Sequence, residues 1–160
     1  MSVDYPALCD LAIAHFSLGD WSLHGPNHWR NVEINGRRLC RLNGADETVV
    51  RLFALFHDIE RRNEGHDPDH GRRAADLVQS LHGDAFQIEA TQLLLLLDAC
   101  RGHNDGLTTG DLTIGTCWDA DRLDLPRVGI RPDAQLMSTH HGKLLARGGR
   151  GPAAADDAAT

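Results

Sequence analysis

The run Val49-Val50-Arg51-Leu52-Phe53-Ala54-Leu55-Phe56 is apolar on nearly every side and ends in His57-Asp58. A helix that is apolar all round is normally buried. The histidine and carboxylate at its end therefore leave water together, which is costly unless they are hydrogen-bonded, paired or bound to a metal. Three other segments set a ligand-type residue on an otherwise apolar stripe. The stretch predicts a helical core with a charged centre, and such a centre implies a metal ion.

Working outward, helical periodicity of about 100° per residue places these residues. In a helix capped by Asp111, Ile114, Cys117, Trp118, Asp121 and Leu125 share one stripe, and Asp119 and Leu123 lie on the far side. Asp121, not Asp119, is then the carboxylate aimed at the core, with Asp124 at the stripe's edge. Upstream, His28, Val32, Asn35, Leu39 and Leu42 form a stripe that starts with a histidine. So do His70, Ala74, Leu77, Val78 and Leu81, while His103 follows a helix-ending Gly102. Histidines and carboxylates brought together from separate helices suit a transition metal that keeps open positions for water.

The remaining signals are helical as well. They predict helices over Pro6 to Leu18, from Pro26 to about Leu42, and from an Asp46 cap to near Arg62. Further helices run from an Asp67-Pro68 start to Leu81, from about Asp84 to Arg101, and from Asp111 to just before Pro126. Leu55, Phe56, Leu94, Leu97 and Trp118 are expected in the core. Beyond Pro132 the pattern fades, and 146–160, rich in Gly, Ala and Asp, reads as a disordered tail. The expectation is one all-α domain over 1–145.

Composition narrows the function. The net charge of −7 disfavours an extended nucleic-acid surface. The 4 cysteines are scattered and form no CxxC, which suits free buried thiols in a reducing cytosol. No signal peptide opens the chain, and no apolar run is long enough to span a bilayer. A cytoplasmic protein without a membrane partner is expected.

Taken in order, His28, His57-Asp58 and Asp121 within Trp118-Asp119-Ala120-Asp121-Arg122-Leu123-Asp124 resemble the H…HD…D signature of the HD-domain superfamily. His24-Gly25-Pro26-Asn27-His28-Trp29 is similar to that family's first-histidine helix, and the resemblance covers about Leu23 to Ile130. It implies an HD-domain-like helical bundle around a central divalent metal, with His28, His57, Asp58 and Asp121 as ligands. Hydrolysis of phosphate esters is the activity most often implied. In some branches extra histidines hold a second ion, and His70 and His103 fall in the matching order. Ile59-Glu60 stands where a glycine and lysine usually follow the HD pair, and no GYP segment is present, so one metal is expected and two are an alternative. The ion's identity stays open among Mn, Co, Ni, Mg, Fe and Zn.

The resulting expectation is a metal-dependent phosphohydrolase acting on a small phosphate ester or nucleotide. His70, His103, Glu60, Glu64 and Asp124 are candidates for proton handling, and Arg61 and Arg62 for holding phosphate. Arg122 is expected in an ion pair with Asp58 or Asp119. His24 and His66 are expected behind the ligands or at the surface; His15, His82, His140 and His141 at the surface. The alternatives are a di-iron oxygenase of similar fold and a non-catalytic metal- or nucleotide-binding regulator.

Overall fold

The computed structural model describes residues 2–148. Within them the chain is all-α: α1 Tyr5–His15, α2 Pro26–Asn43, α3 Glu47–Phe56, α4 His70–Leu81, α5 Ala90–Gly102, α6 Leu112–Arg122 and α7 His140–Ala146. The helix starts follow local chemistry. Asp4, Asp46 and Asp111 each accept a backbone N–H three residues on, at 3.0, 3.2 and 2.8 Å. Pro26 opens α2, and Gly44 closes it with a left-handed φ of 78°.

Helix α3 is the axis. It packs on α2, α5 and α6, and α4 lies against α5. Leu52, Phe53 and Phe56 are fully buried with Leu39, Ile59 and Leu96, each large side chain contributing roughly 1.5–3 kcal/mol by leaving water. Trp118 is buried too, its indole N–H donating to Ala99 O at 2.9 Å.

Several boundaries differ from the sequence expectation, each for a local reason. Helix α3 ends at Phe56 rather than near Arg62, and tight turns over Asp58 to Arg61 follow (Ile59 N to Phe56 O 3.2 Å, Arg61 N to Asp58 O 3.0 Å). Helix α4 starts at His70, because Asp67 is used otherwise. Its carboxylate takes Arg73 Nη2 at 2.7 Å and Arg62 N at 2.9 Å. Helix α5 starts at Ala90, where Glu89 and Gln92 form a reciprocal capping box. Leu94 is 63% exposed, not in the core. Five consecutive leucines cannot all face inward on a 3.6-residue period, and Leu96 and Leu97 take the buried side.

The largest departure lies past Pro132. Thr139 caps α7, which packs against α2 and α6, and Ala146 is its buried last residue. The rest of the expected tail, 149–160, lies outside the described residues. The segment before α7 covers the far face of α6 and buries Asp119, which the helical stripe placed outward. Its carboxylate accepts from Ser138 N at 2.7 Å, Thr139 N at 2.8 Å and Thr139 Oγ1 at 2.7 Å. Asp119 and Asp121 are therefore both inside, on opposite sides of one helix.

Close approach of α4 to α5 depends on Gly71. A Cβ there would lie 2.5 Å from Cys100 O and 3.2 Å from Arg101 O, both backbone atoms. Gly71→Ala should therefore destabilise the fold by about 1–3 kcal/mol, although alanine ordinarily favours a helix interior by about 1 kcal/mol. Urea unfolding checks this; a raised midpoint would show that the two helices are free to part.

Candidate metal centre

Five elements deliver polar side chains to one buried point. His28 comes from the first turn of α2 and His57 from the C-cap of α3, followed at once by Asp58. His70 opens α4, His103 caps α5, and Asp121 comes from the last turn of α6. All four histidines and Asp58 are buried, and Asp121 is partly exposed. Ending α3 at Phe56 matters here, because the turn lets consecutive side chains face the same space.

Hydrogen bonds assign the tautomers. His57 Nδ1 lies 3.0 Å from Phe53 O and 3.2 Å from Ala54 O. His103 Nδ1 lies 2.7 Å from Cys100 O, and His70 Nδ1 contacts Asp67 O. A carbonyl only accepts, so each Nδ1 carries a proton and each Nε2 of the neutral ring presents a lone pair. His28 Nδ1 is likewise occupied, by Asp124 Oδ2 at 2.7 Å. The free nitrogens then meet in pairs: His28 and His57 Nε2 are 3.1 Å apart, and His70 and His103 Nε2 are 2.9 Å apart. Two lone pairs at that distance repel unless a proton or a metal cation lies between them.

The carboxylates complete two clusters. His28 Nε2 lies 3.1 Å from Asp121 Oδ1 and 3.5 Å from Asp58 Oδ2; His57 Nε2 lies 3.5 and 3.6 Å from the same two atoms. Ligands about 2.1 Å from a shared ion stand roughly 3.0 Å apart at right angles and 3.4 Å apart at the tetrahedral angle. The donor set therefore fits a divalent transition metal. The other oxygen, Asp58 Oδ1, lies 3.1 Å from His70 Nε2 and 3.3 Å from His103 Nε2. Asp58 thus stands between a His28–His57–Asp121 cluster and a His70–His103 cluster.

Electrostatics agree with the geometry. Burial alone would raise the Asp58 and Asp121 carboxyls. In the metal-free protein, positive charge on His57, with ring protons shared from His103, His24 and His70 to Asp58 and from His28 and His57 to Asp121, instead holds both well below the usual carboxylate range; a metal cation would take the place of those protons. Burial would lower His28, but its hydrogen bonds to Asp121 and Asp124 outweigh that and push it up to about 9.

The other candidates fall in different places. His24 is buried, with Nδ1 3.1 Å from Asp58 Oδ2. Glu60 turns away and pairs with His15. Glu64 accepts from Leu23 N at 3.2 Å. Asp124 sits behind His28. A cavity of about 210 Å³ opens onto the centre, lined by Asp58, His70 and His103 together with Arg61, Arg122 and Arg127. Arg62 is exposed and outside that lining. Arg122 forms no ion pair with Asp58 or Asp119. One nitrogen donates to Leu136 O, its guanidinium lies 5.6 Å from the Trp118 ring, and buried Nη2 has no hydrogen-bond partner. Arg61 Nε is also buried and unpartnered, 3.9 Å from Asp58 Oδ1. Arg127 escaped the sequence reading because the 3₁₀ turn Leu125–Val128 that carries it leaves no periodic signal; Arg122, the last residue of α6, reads from sequence as an ion-pair partner rather than a cavity residue.

No protein-family model matches the chain, and no curated protein matches its sequence. Its structure is similar to the crystal structure of a predicted HD superfamily hydrolase from an uncultured Thermotogales bacterium. The TM-score is 0.73 at 24% identity, over 91% of this chain and 84% of that one. The chain has the HD-domain fold.

A metal ion bound through His28 would displace the proton on that ring. Apparent affinity for Mn²⁺ or Zn²⁺ should therefore rise about tenfold per pH unit and level off above about 9. In the metal-free protein, the same shift stabilises the fold below pH 6.5, and that stabilisation fades as pH rises through about 9. Titrations from pH 6 to 9.5 check both; a pH-independent affinity would contradict the assignment.

Proposed function

We propose that the protein is a metal-dependent phosphohydrolase that cleaves a small phosphate ester or nucleotide. The observation that carries this reading is the facing of paired, tautomer-fixed Nε2 atoms across two carboxylates. His28, His57, Asp58 and Asp121 would hold one divalent ion. His70 and His103, whose Nε2 atoms both face Asp58 Oδ1, offer the donors for a second. Bound there, such ions supply Lewis acidity and an activated water.

The protein's own residues supply the rest. Arg61, Arg122 and Arg127 line one cavity with the centre. Guanidinium groups match phosphate oxygens in charge and geometry, and two of their buried N–H groups lack a partner in the protein. The cavity has room for a phosphoryl group and a few further atoms, so the body of a nucleotide would extend outward. An adjoining depression of about 230 Å³ shares Arg61, His70 and Asn104 with it. His24, against Asp58 and at the cavity wall, is placed to hold or move a proton near the reacting group.

The same donor set favours one other reading. A carboxylate shared between two histidine clusters also suits a pair of iron ions in an oxygenase. Metal analysis of the purified protein, followed by oxygen uptake, separates the two.

Asp58→Ala removes an oxygen from both clusters. Metal content should fall, and phosphate release from a panel of monoesters and nucleotides with Mn²⁺, Co²⁺, Mg²⁺ or Ni²⁺ should drop by at least about 100-fold. Full activity of that variant, or activity indifferent to a strong chelator, would refute the mechanism.

A further inference from the structure

Four inward histidines are held at Nδ1, but not in the same way. His57, His70 and His103 each use carbonyls three or four residues upstream; Phe53 O and Asp67 O accept the ring in addition to the same residue's backbone N–H. His28 sits in the first turn of α2, and its upstream carbonyls are already engaged. Gly25 O accepts from Trp29 N at 3.1 Å, and His24 O accepts from the Trp29 indole at 2.7 Å. The His28 ring turns instead to Asp124, 96 residues along the chain.

Asp124 is itself held. Asn31, one turn along α2 from His28, donates Nδ2 to Asp124 Oδ1 at 3.1 Å. Arg127 Nη1 donates to the Asp124 carbonyl at 3.1 Å, and its Nε lies 3.9 Å from the carboxylate. The carboxylate thus has one oxygen on Asn31 and the other on His28, in the 3₁₀ turn that follows α6. That turn follows directly from Asp121, so one short segment supplies both a candidate ligand and the support for another.

We propose that Asp124 is a positioning residue for the metal centre: it fixes His28 as the Nδ1–H tautomer and aims its Nε2 at the ion. Resting on the metal-centre reading above, this gives Asp124 a role distinct from that of an acid or base. A carboxylate on the far nitrogen also makes an imidazole a stronger donor than a carbonyl does. Among the four rings, His28 has its support farthest along the chain from its own helix.

The test measures metal binding, not turnover alone. Competition with a chelating dye gives Mn²⁺ and Zn²⁺ affinities for the parent, Asp124→Ala, Asp124→Asn and Asn31→Ala. Asp124→Ala should weaken binding about 10- to 100-fold. Asp124→Asn, which keeps an acceptor and loses the charge, should recover part of that, and Asn31→Ala should lie nearest the parent. An Asp124→Ala protein that binds within about twofold of the parent overturns the proposal. So does one whose melting temperature falls equally with and without metal at unchanged affinity, because Asp124 is then only part of the packing.

A second measurement stands if the variants do not fold. In the Zn²⁺-loaded parent, long-range ¹H–¹⁵N spectra should show His28 protonated at Nδ1 alone; a proton on Nε2 overturns the proposal. Failure of the underlying reading looks different: the parent then binds no ion, or Asp58→Ala binds as well as the parent does, whatever happens at Asp124.

Discussion

The structure turns on the cost of placing several histidine rings and two carboxylates where water cannot solvate them. An isolated buried charge is expensive, and an unpaired buried donor or acceptor costs roughly 1–3 kcal/mol. The protein meets this by giving every ring two defined neighbours. One nitrogen goes to a fixed acceptor and the other to the shared centre. The low dielectric that makes an unmatched group costly also makes a matched one strong. A cation at the centre and the apolar shell around it are therefore complementary requirements.

Helix ends are what make this arrangement possible. An α-helix leaves its last carbonyls without internal partners, and here those carbonyls orient the candidate ligands. Phe53 and Ala54 hold His57, and Cys100 holds His103. The groups that a helix terminus must satisfy anyway become the supports of the site. Close packing then brings the supported rings together: Gly71 lets α4 approach the end of α5 closely enough for His70 to meet His103.

Much of this was legible in the sequence. The apolar run before His57-Asp58 identified the central helix, and the stripes through His28, His70 and Asp121 placed those residues inward, as the structure has them. What periodicity missed was everything that tertiary partners decide. Asp119 reads as solvent-facing because the stripe describes one face of α6, and the segment covering the other face comes from a stretch with little pattern of its own. Leu94 reads as core because composition within the leucine run does not say which residues rotate outward. Arg127 reaches the cavity through a 3₁₀ turn, which has no amphipathic signature. The contact of Asp124 with His28 Nδ1 joins residues 96 apart and is visible only in the folded chain.

Helix α6 is pinned at two points two residues apart. On one side Asp121 meets His28 and His57; on the other Asp119 holds the backbone of Ser138 and Thr139. A one-residue slip of the helix would turn it by about 100° and break both sets of bonds at once. The register of α6 is therefore over-determined, while the connection between its two anchors is not. Between Gly129 and Met137 the chain spans exposed turns and a single short 3₁₀ segment. Length changes accumulate there without disturbing either anchor, so in descendants of this chain the spacing from Asp121 to Thr139 is free to drift, while the two-residue interval from Asp119 to Asp121 is not.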